Sequence, residues 1–113
     1  MESTQAVAVF AALAQETRLA VYRLLVEAGH GGMAAGRIGA ELGLPSATLS
    51  FHLKELRSAG VVVSRREGRS IIYSASFDTM AALLVFLTEN CCRNERPSRG
   101  SPSSRRGTRR PRS

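Results

Sequence analysis

Gly43-Leu44-Pro45 constrains this chain more tightly than any other feature. It separates two stretches of helical periodicity by too few residues for anything but a turn. Glycine suits the left-handed position after a helix, and proline suits the first turn of the next. Upstream, Ile38 and Leu42 recur at the spacing of one helix face, predicting a short helix over 34–42. Downstream, Leu49, Leu53 and Leu56 recur likewise, predicting a longer helix from 45 or 46 to 59, stopped by Gly60.

The flanking sequence completes the pattern. Val7, Phe10, Ala11 and Ala14 mark a first helix over 4–14, and Leu19, Tyr22 and Val26 give the stripe of a second over 16–29. Gly29, Gly31 and Gly32 mark a loop. Stretches 61–66 and 69–75 are β-rich, with Glu67-Gly68 between them, which predicts a two-stranded hairpin. Ser76 can cap a last helix over 77–92. Residues 80–87 of that helix are all apolar. A helix apolar on every side needs cover on two sides, here its own core and a second subunit. Short helix, turn, longer helix and hairpin form the winged helix-turn-helix order, a mostly α fold with a β-hairpin wing. The expected organisation is one domain over 1–92, dimerised through its first and last helices. A tail of arginine, serine, proline and glycine follows over 93–113 and is expected to be disordered and inert, or weakly attractive to phosphates.

Charge needs to be read locally. The chain carries 16 basic and 9 acidic residues, a formal net charge of +7. The tail holds eight arginines and one glutamate, so it accounts for the whole excess and residues 1–92 are net neutral. Net charge therefore gives no argument that the folded part binds nucleic acid. Placement does. With Leu49, Leu53 and Leu56 inward, Ala47, Ser50, Phe51, Lys54 and Ser58 fall outward at 100° per residue. An outward phenylalanine among small hydroxyl residues suits contact with thymine methyls. Ser46, Thr48 and Ser50 can reach bases or phosphates, and Lys54 and Arg57 suit phosphates. The start of this helix also favours a phosphate. Arg65, Arg66 and Arg69 cluster at the hairpin turn, where a wing lies along the adjacent groove. His52 falls at the margin of the buried stripe and is expected to bond a neighbour rather than a base.

The two cysteines are adjacent, Cys91-Cys92. Neighbours make a strained disulfide that closes almost no loop, so a reduced, ligand-binding pair is the expectation. A redox or sulfur-species sensor and an inert pair stay open as alternatives. Neither His30 nor His52 has the sequence context of a nucleophile or an acid–base partner, and no Cys-x-x-Cys motif is present, which argues against an enzyme. There is no apolar run of membrane-spanning length and no signal pattern at Met1-Glu2-Ser3-Thr4, so a cytoplasmic protein without a membrane partner is expected.

Several stretches together resemble the arsenic-repressor (ArsR/SmtB) family of winged-helix transcriptional repressors. They are Leu13-Ala14-Gln15-Glu16-Thr17-Arg18-Leu19, Leu49-Ser50-Phe51-His52-Leu53-Lys54-Glu55-Leu56 with Ala59-Gly60-Val61, and Arg65-Arg66-Glu67-Gly68-Arg69 with Tyr73. The resemblance covers about residues 4–92. It implies a homodimer through the first and last helices, with the fourth helix in the major groove of a palindromic double-stranded operator. It also implies release of DNA on inducer binding. Some members carry arsenic-binding cysteines on the third helix, where this chain has Ala35-Gly36-Arg37-Ile38-Gly39. Glu89-Asn90-Cys91-Cys92 instead resembles the subgroup whose site ends the last helix, without that subgroup's third cysteine. No cofactor is required on this reading. The implied inducer is trivalent arsenic, as arsenite or methylarsenite, or antimonite, held by Cys91 and Cys92. Arg93 and Arg96 are expected to help hold both sulfurs as thiolates.

Overall fold

The computed structural model describes residues 1–96. The elements run α1 (Ser3–Leu13), α2 (Glu16–Ala28), a 3₁₀ turn (Gly29–Gly31), β1 (Met33–Ala34), α3 (Ala35–Leu42), α4 (Ser46–Ser58), β2 (Val62–Glu67), β3 (Ser70–Ala75) and α5 (Phe77–Thr88). The expected winged helix-turn-helix is present, with one strand more than the sequence announced. The disorder expected of the tail falls largely on residues 97–113, outside the described residues.

The turn between α3 and α4 is built as its residues dictate. Gly43 adopts φ 67°, ψ 36°, and the amides of Gly43 and Leu44 both return to the carbonyl of Gly39. This satisfies a carbonyl that the end of α3 would otherwise leave unpaired. A Cβ on Gly39 would lie 3.1 Å from the Leu44 carbonyl oxygen, so a glycine there lets the turn fold back tightly. Pro45 is the residue just before α4 rather than its first.

Leu49, Leu53 and Leu56 are buried, as their spacing requires, and pack with Val21, Leu25, Ile38, Val61 and Val62. Burying each leucine contributes roughly 1.5–3 kcal/mol, which fixes the side that α4 turns outward. The second helix corrects its expected stripe. Tyr22 is inside, but Leu19 and Val26 are exposed, and Val21 and Leu25 are the buried residues. In α1 the inward residues are Ala6, Val9 and Ala12, leaving Val7 and Phe10 outside.

β2 and β3 pair antiparallel from Val62↔Ala75 to Glu67↔Ser70, so the hairpin loop is Gly68-Arg69 rather than Glu67-Gly68. Gly68 has φ 61° and Arg69 does not have positive φ, the type II′ arrangement that matches strand twist. β1 adds to the other edge of β3 through Met33↔Tyr73 and Ala34↔Ile72. Gly32 permits this crossing: at φ 70°, any Cβ would collide with the carbonyl oxygen of Tyr73.

Ser76 begins α5 as expected, its hydroxyl accepting from the Thr79 amide at 3.2 Å. The helix ends at Thr88, one residue beyond its apolar run and four short of the expected end at Cys92. Asn90 and Cys92 both have φ 63°, a left-handed conformation that asparagine tolerates better than most residues. The Thr88 hydroxyl donates back to the Leu84 carbonyl at 2.7 Å, within this last turn. Among the described residues, no helix is long and apolar enough to cross a membrane.

Candidate DNA interface and cysteine pair

The outward side of α4 presents Ser46, Ala47, Thr48, Ser50, Phe51, Lys54 and Arg57, all of them exposed. Phe51 is 55% exposed, with its ring edge against His52 at a centroid distance of 5.5 Å. No side chain caps the start of α4. The first intrahelical amide bond is from Leu49 to the Pro45 carbonyl, which leaves the amides of Ser46, Ala47 and Thr48 available to an acceptor. Such a helix start, carrying the positive end of the helix dipole, suits a phosphate oxygen.

His52 is only 8% exposed, and its Nδ1 lies 3.3 Å from Nη1 of Arg18 on α2. The histidine bonds a neighbour, as the margin of the stripe suggested. The identity of that neighbour was not legible, because Arg18 is 34 residues away in the chain. Arg18 is itself fixed through Nε, which donates to the Ala12 carbonyl at 2.7 Å.

The wing arginines differ from one another. Arg65 donates from Nε to Glu67 Oε2 at 2.7 Å, from Nη1 to the His30 carbonyl at 3.3 Å and from Nη2 to the Gly31 carbonyl at 2.9 Å. Its guanidinium thus braces the hairpin against the 3₁₀ turn. Arg66 makes one long contact, 3.5 Å to the Gly68 carbonyl. Arg69 is exposed at the tip. Among the described residues, no hydrogen bond or ion pair joins these arginines to the side chains of α4.

Cys91 and Cys92 lie beyond α5, on a turn held by the Cys91 amide to the Thr88 carbonyl and the Glu95 amide to the Cys92 carbonyl, each 3.0 Å. Both thiols are exposed, with their sulfurs 3.3 Å apart. The hydrogen bond with Cys91, then that with Glu95, pushes the Cys92 thiol up to about 11. This corrects the expectation that neighbouring arginines hold both sulfurs as thiolates. The Arg93 guanidinium is directed to Asn90 Oδ1 at 3.3 Å instead. Among the described residues, no three His, Cys, Asp or Glu side chains converge as metal ligands.

Residues 13–65 match the model of a family described as a helix-turn-helix domain. An uncharacterized HTH-type transcriptional regulator of Bacillus subtilis, YceK, is 34% identical over 76 residues, covering 67% of this chain and 75% of the relative. Among solved structures, an ArsR-like transcriptional regulator from Rhodococcus sp. RHA1 superposes with TM-score 0.70 at 27% identity, covering 81% of this chain and 84% of that one. The chain belongs to the ArsR family of winged helix-turn-helix transcriptional regulators. It is a DNA-binding regulator, and the α4 face and the wing are the elements with which this ArsR-type fold can meet a duplex. A second neighbour is a homodimeric winged helix-turn-helix fragment from Mycobacterium bovis, a possible ArsR-family regulator. Its TM-score is 0.63 at 29% identity, over 81% of this chain and 83% of that one.

Proposed function

We propose that this ArsR-family protein is a metalloid-responsive repressor. It binds a palindromic operator as a homodimer, with α4 in the major groove and the hairpin alongside. It releases DNA when trivalent arsenic or antimony binds Cys91 and Cys92. The reading face is Ser46, Ala47, Thr48, Ser50 and Phe51, with Lys54, Arg57, Arg66 and Arg69 on phosphates and Arg65 shaping the wing. The dimer is supported by Val7, Phe10, Leu84, Val85 and Leu87, large apolar side chains left exposed on α1 and α5.

The observation that carries the inducer is the 3.3 Å separation of two exposed sulfurs. Two sulfurs each about 2.3 Å from one soft centre, at roughly a right angle, are about 3.3 Å apart. Soft trivalent arsenic prefers sulfur ligands. A monomethyl arsenical carries two hydroxyls that leave as two waters, each taking one thiol proton, while two As–S bonds form. Arsenic stays trivalent, so the exchange needs no oxidant or reductant. Inorganic arsenite has a third hydroxyl to exchange and takes its third sulfur from a small thiol or from the second subunit.

The test is operator binding by the reduced protein, titrated separately with arsenite, antimonite, trivalent methylarsenical and zinc. Release is expected with the metalloids, with the methylated form at least as effective as arsenite. Cys91→Ser and Cys92→Ser are expected to bind DNA and ignore the metalloids. Serine variants that still release DNA would remove the pair as the sensor.

A further inference from the structure

We propose that Arg18 and His52 form a latch that sets the orientation of the DNA-reading helix, and that this latch holds only while His52 is neutral. The inference rests on the reading of α4 as the DNA-contacting helix. A guanidinium only donates hydrogen bonds. Nδ1 of His52, 3.3 Å from Arg18 Nη1, must therefore be the acceptor, and the ring's single proton sits on Nε2. Arg18 also grips the Ala12 carbonyl near the end of α1. One side chain on α2 thus ties α4 to α1, and the tie ends on the residue next to Phe51.

An imidazolium has no lone pair to offer and would place a second cation against the guanidinium at this distance. The surroundings give it little relief. Beside Arg18, α1 contributes Ala8, Ala11 and Ala12, and α4 contributes Glu55 to the same hollow. Among the described residues, no carboxylate lies within ion-pair distance of the ring. Tyr22, one turn beyond Arg18 on α2, is buried with an unpartnered hydroxyl, and burial pushes its phenol up, so it stays neutral. The charged residues of α3, Arg37 and Glu41, and those of β2, Arg65, Arg66 and Glu67, are exposed.

The sign of the effect is diagnostic. Added positive charge ordinarily strengthens DNA binding. The latch predicts the opposite for a specific duplex. Protonating His52 breaks the tie, tilts α4 and weakens operator binding.

The probe is a duplex selected from a random-sequence pool by the purified protein at about pH 8, compared with an unrelated duplex between about pH 8 and pH 5.5. Affinity for the selected duplex is expected to fall on acidification, while affinity for the unrelated duplex holds or rises. His52→Asn keeps an acceptor at the δ position without a titrating ring, so it is expected to bind as the wild type does at high pH and to lose the pH dependence. His52→Leu is expected to bind the selected duplex weakly at every pH. His30→Asn is expected to keep the wild-type profile. Selected-duplex affinity that stays flat or rises on acidification, or an Asn variant that retains the fall, overturns the latch alone. Failure to select any duplex overturns the DNA reading and the latch with it.

Discussion

Cys92 shares a hydrogen bond with Cys91 across 3.3 Å, and that contact above all keeps the Cys92 thiol protonated up to about pH 11. The consequence separates two ligand classes. A hydroxyl-bearing metalloid removes each thiol proton as water, so its binding releases no net proton. A divalent cation must expel protons to reach thiolates, and its affinity rises with pH throughout the range below the thiol pKa. Between about pH 6.5 and 8, metalloid affinity is expected to stay nearly constant. Zinc affinity is expected to climb about tenfold per pH unit for each thiol proton displaced. Isothermal titration in two buffers of different ionisation enthalpy counts the protons. Net proton release on binding methylarsenite would contradict the exchange chemistry.

Leu84 is 56% exposed on α5 and Val7 is 64% exposed on α1, on the two helices that the proposed dimer would cover. Leu84→Asp is expected to give a monomer or insoluble protein, because burying an unpaired carboxylate in an apolar interface costs several kcal/mol of association energy. Light scattering after gel filtration reads this directly. A soluble dimer with unchanged operator affinity would move the interface elsewhere.

The residues that were legible in the sequence are those with one apolar face. Leu49, Leu53 and Leu56 leave only one way to orient α4, so its outward set followed from spacing alone. In α1, alanine and valine occur on several sides, and periodicity could not tell the core face of Ala6, Val9 and Ala12 from the outer face of Val7 and Phe10. Met33–Ala34 is too short to show alternation, and β1 exists because Gly32 lets the chain run against β3. α5 stops short of the cysteines because Thr88-Glu89-Asn90 interrupts the apolar run, and Asn90, suited to a left-handed turn, is the stop signal in the sequence. The Arg18–His52 contact joins residues far apart in the chain, and no local pattern encodes its partner choice.

The wing arginines are expected to separate by salt dependence. Arg66→Ala removes a guanidinium held by one long contact and Arg69→Ala removes the one exposed at the tip, and each should lower the slope of log affinity against log salt by about 0.9. Arg65→Ala should leave the slope nearly unchanged, since its three donor positions are engaged by Glu67, His30 and Gly31. The Arg65–Glu67 pair is about half-exposed, so stability should change by less than about 1 kcal/mol. Equal slope losses for all three variants would show that Arg65 leaves its brace to contact DNA.

The outward face of α4 carries the central claim, and Phe51 tests it most directly because it is exposed, apolar and uninvolved in the core. The measurement is the affinity of Phe51→Ala for the selected operator and for an unrelated duplex at the same salt concentration. Operator binding is expected to weaken by about 1–3 kcal/mol with unrelated DNA nearly unaffected. Unchanged operator affinity, or an equal loss on both duplexes, would contradict the assignment of this face as the surface that reads sequence.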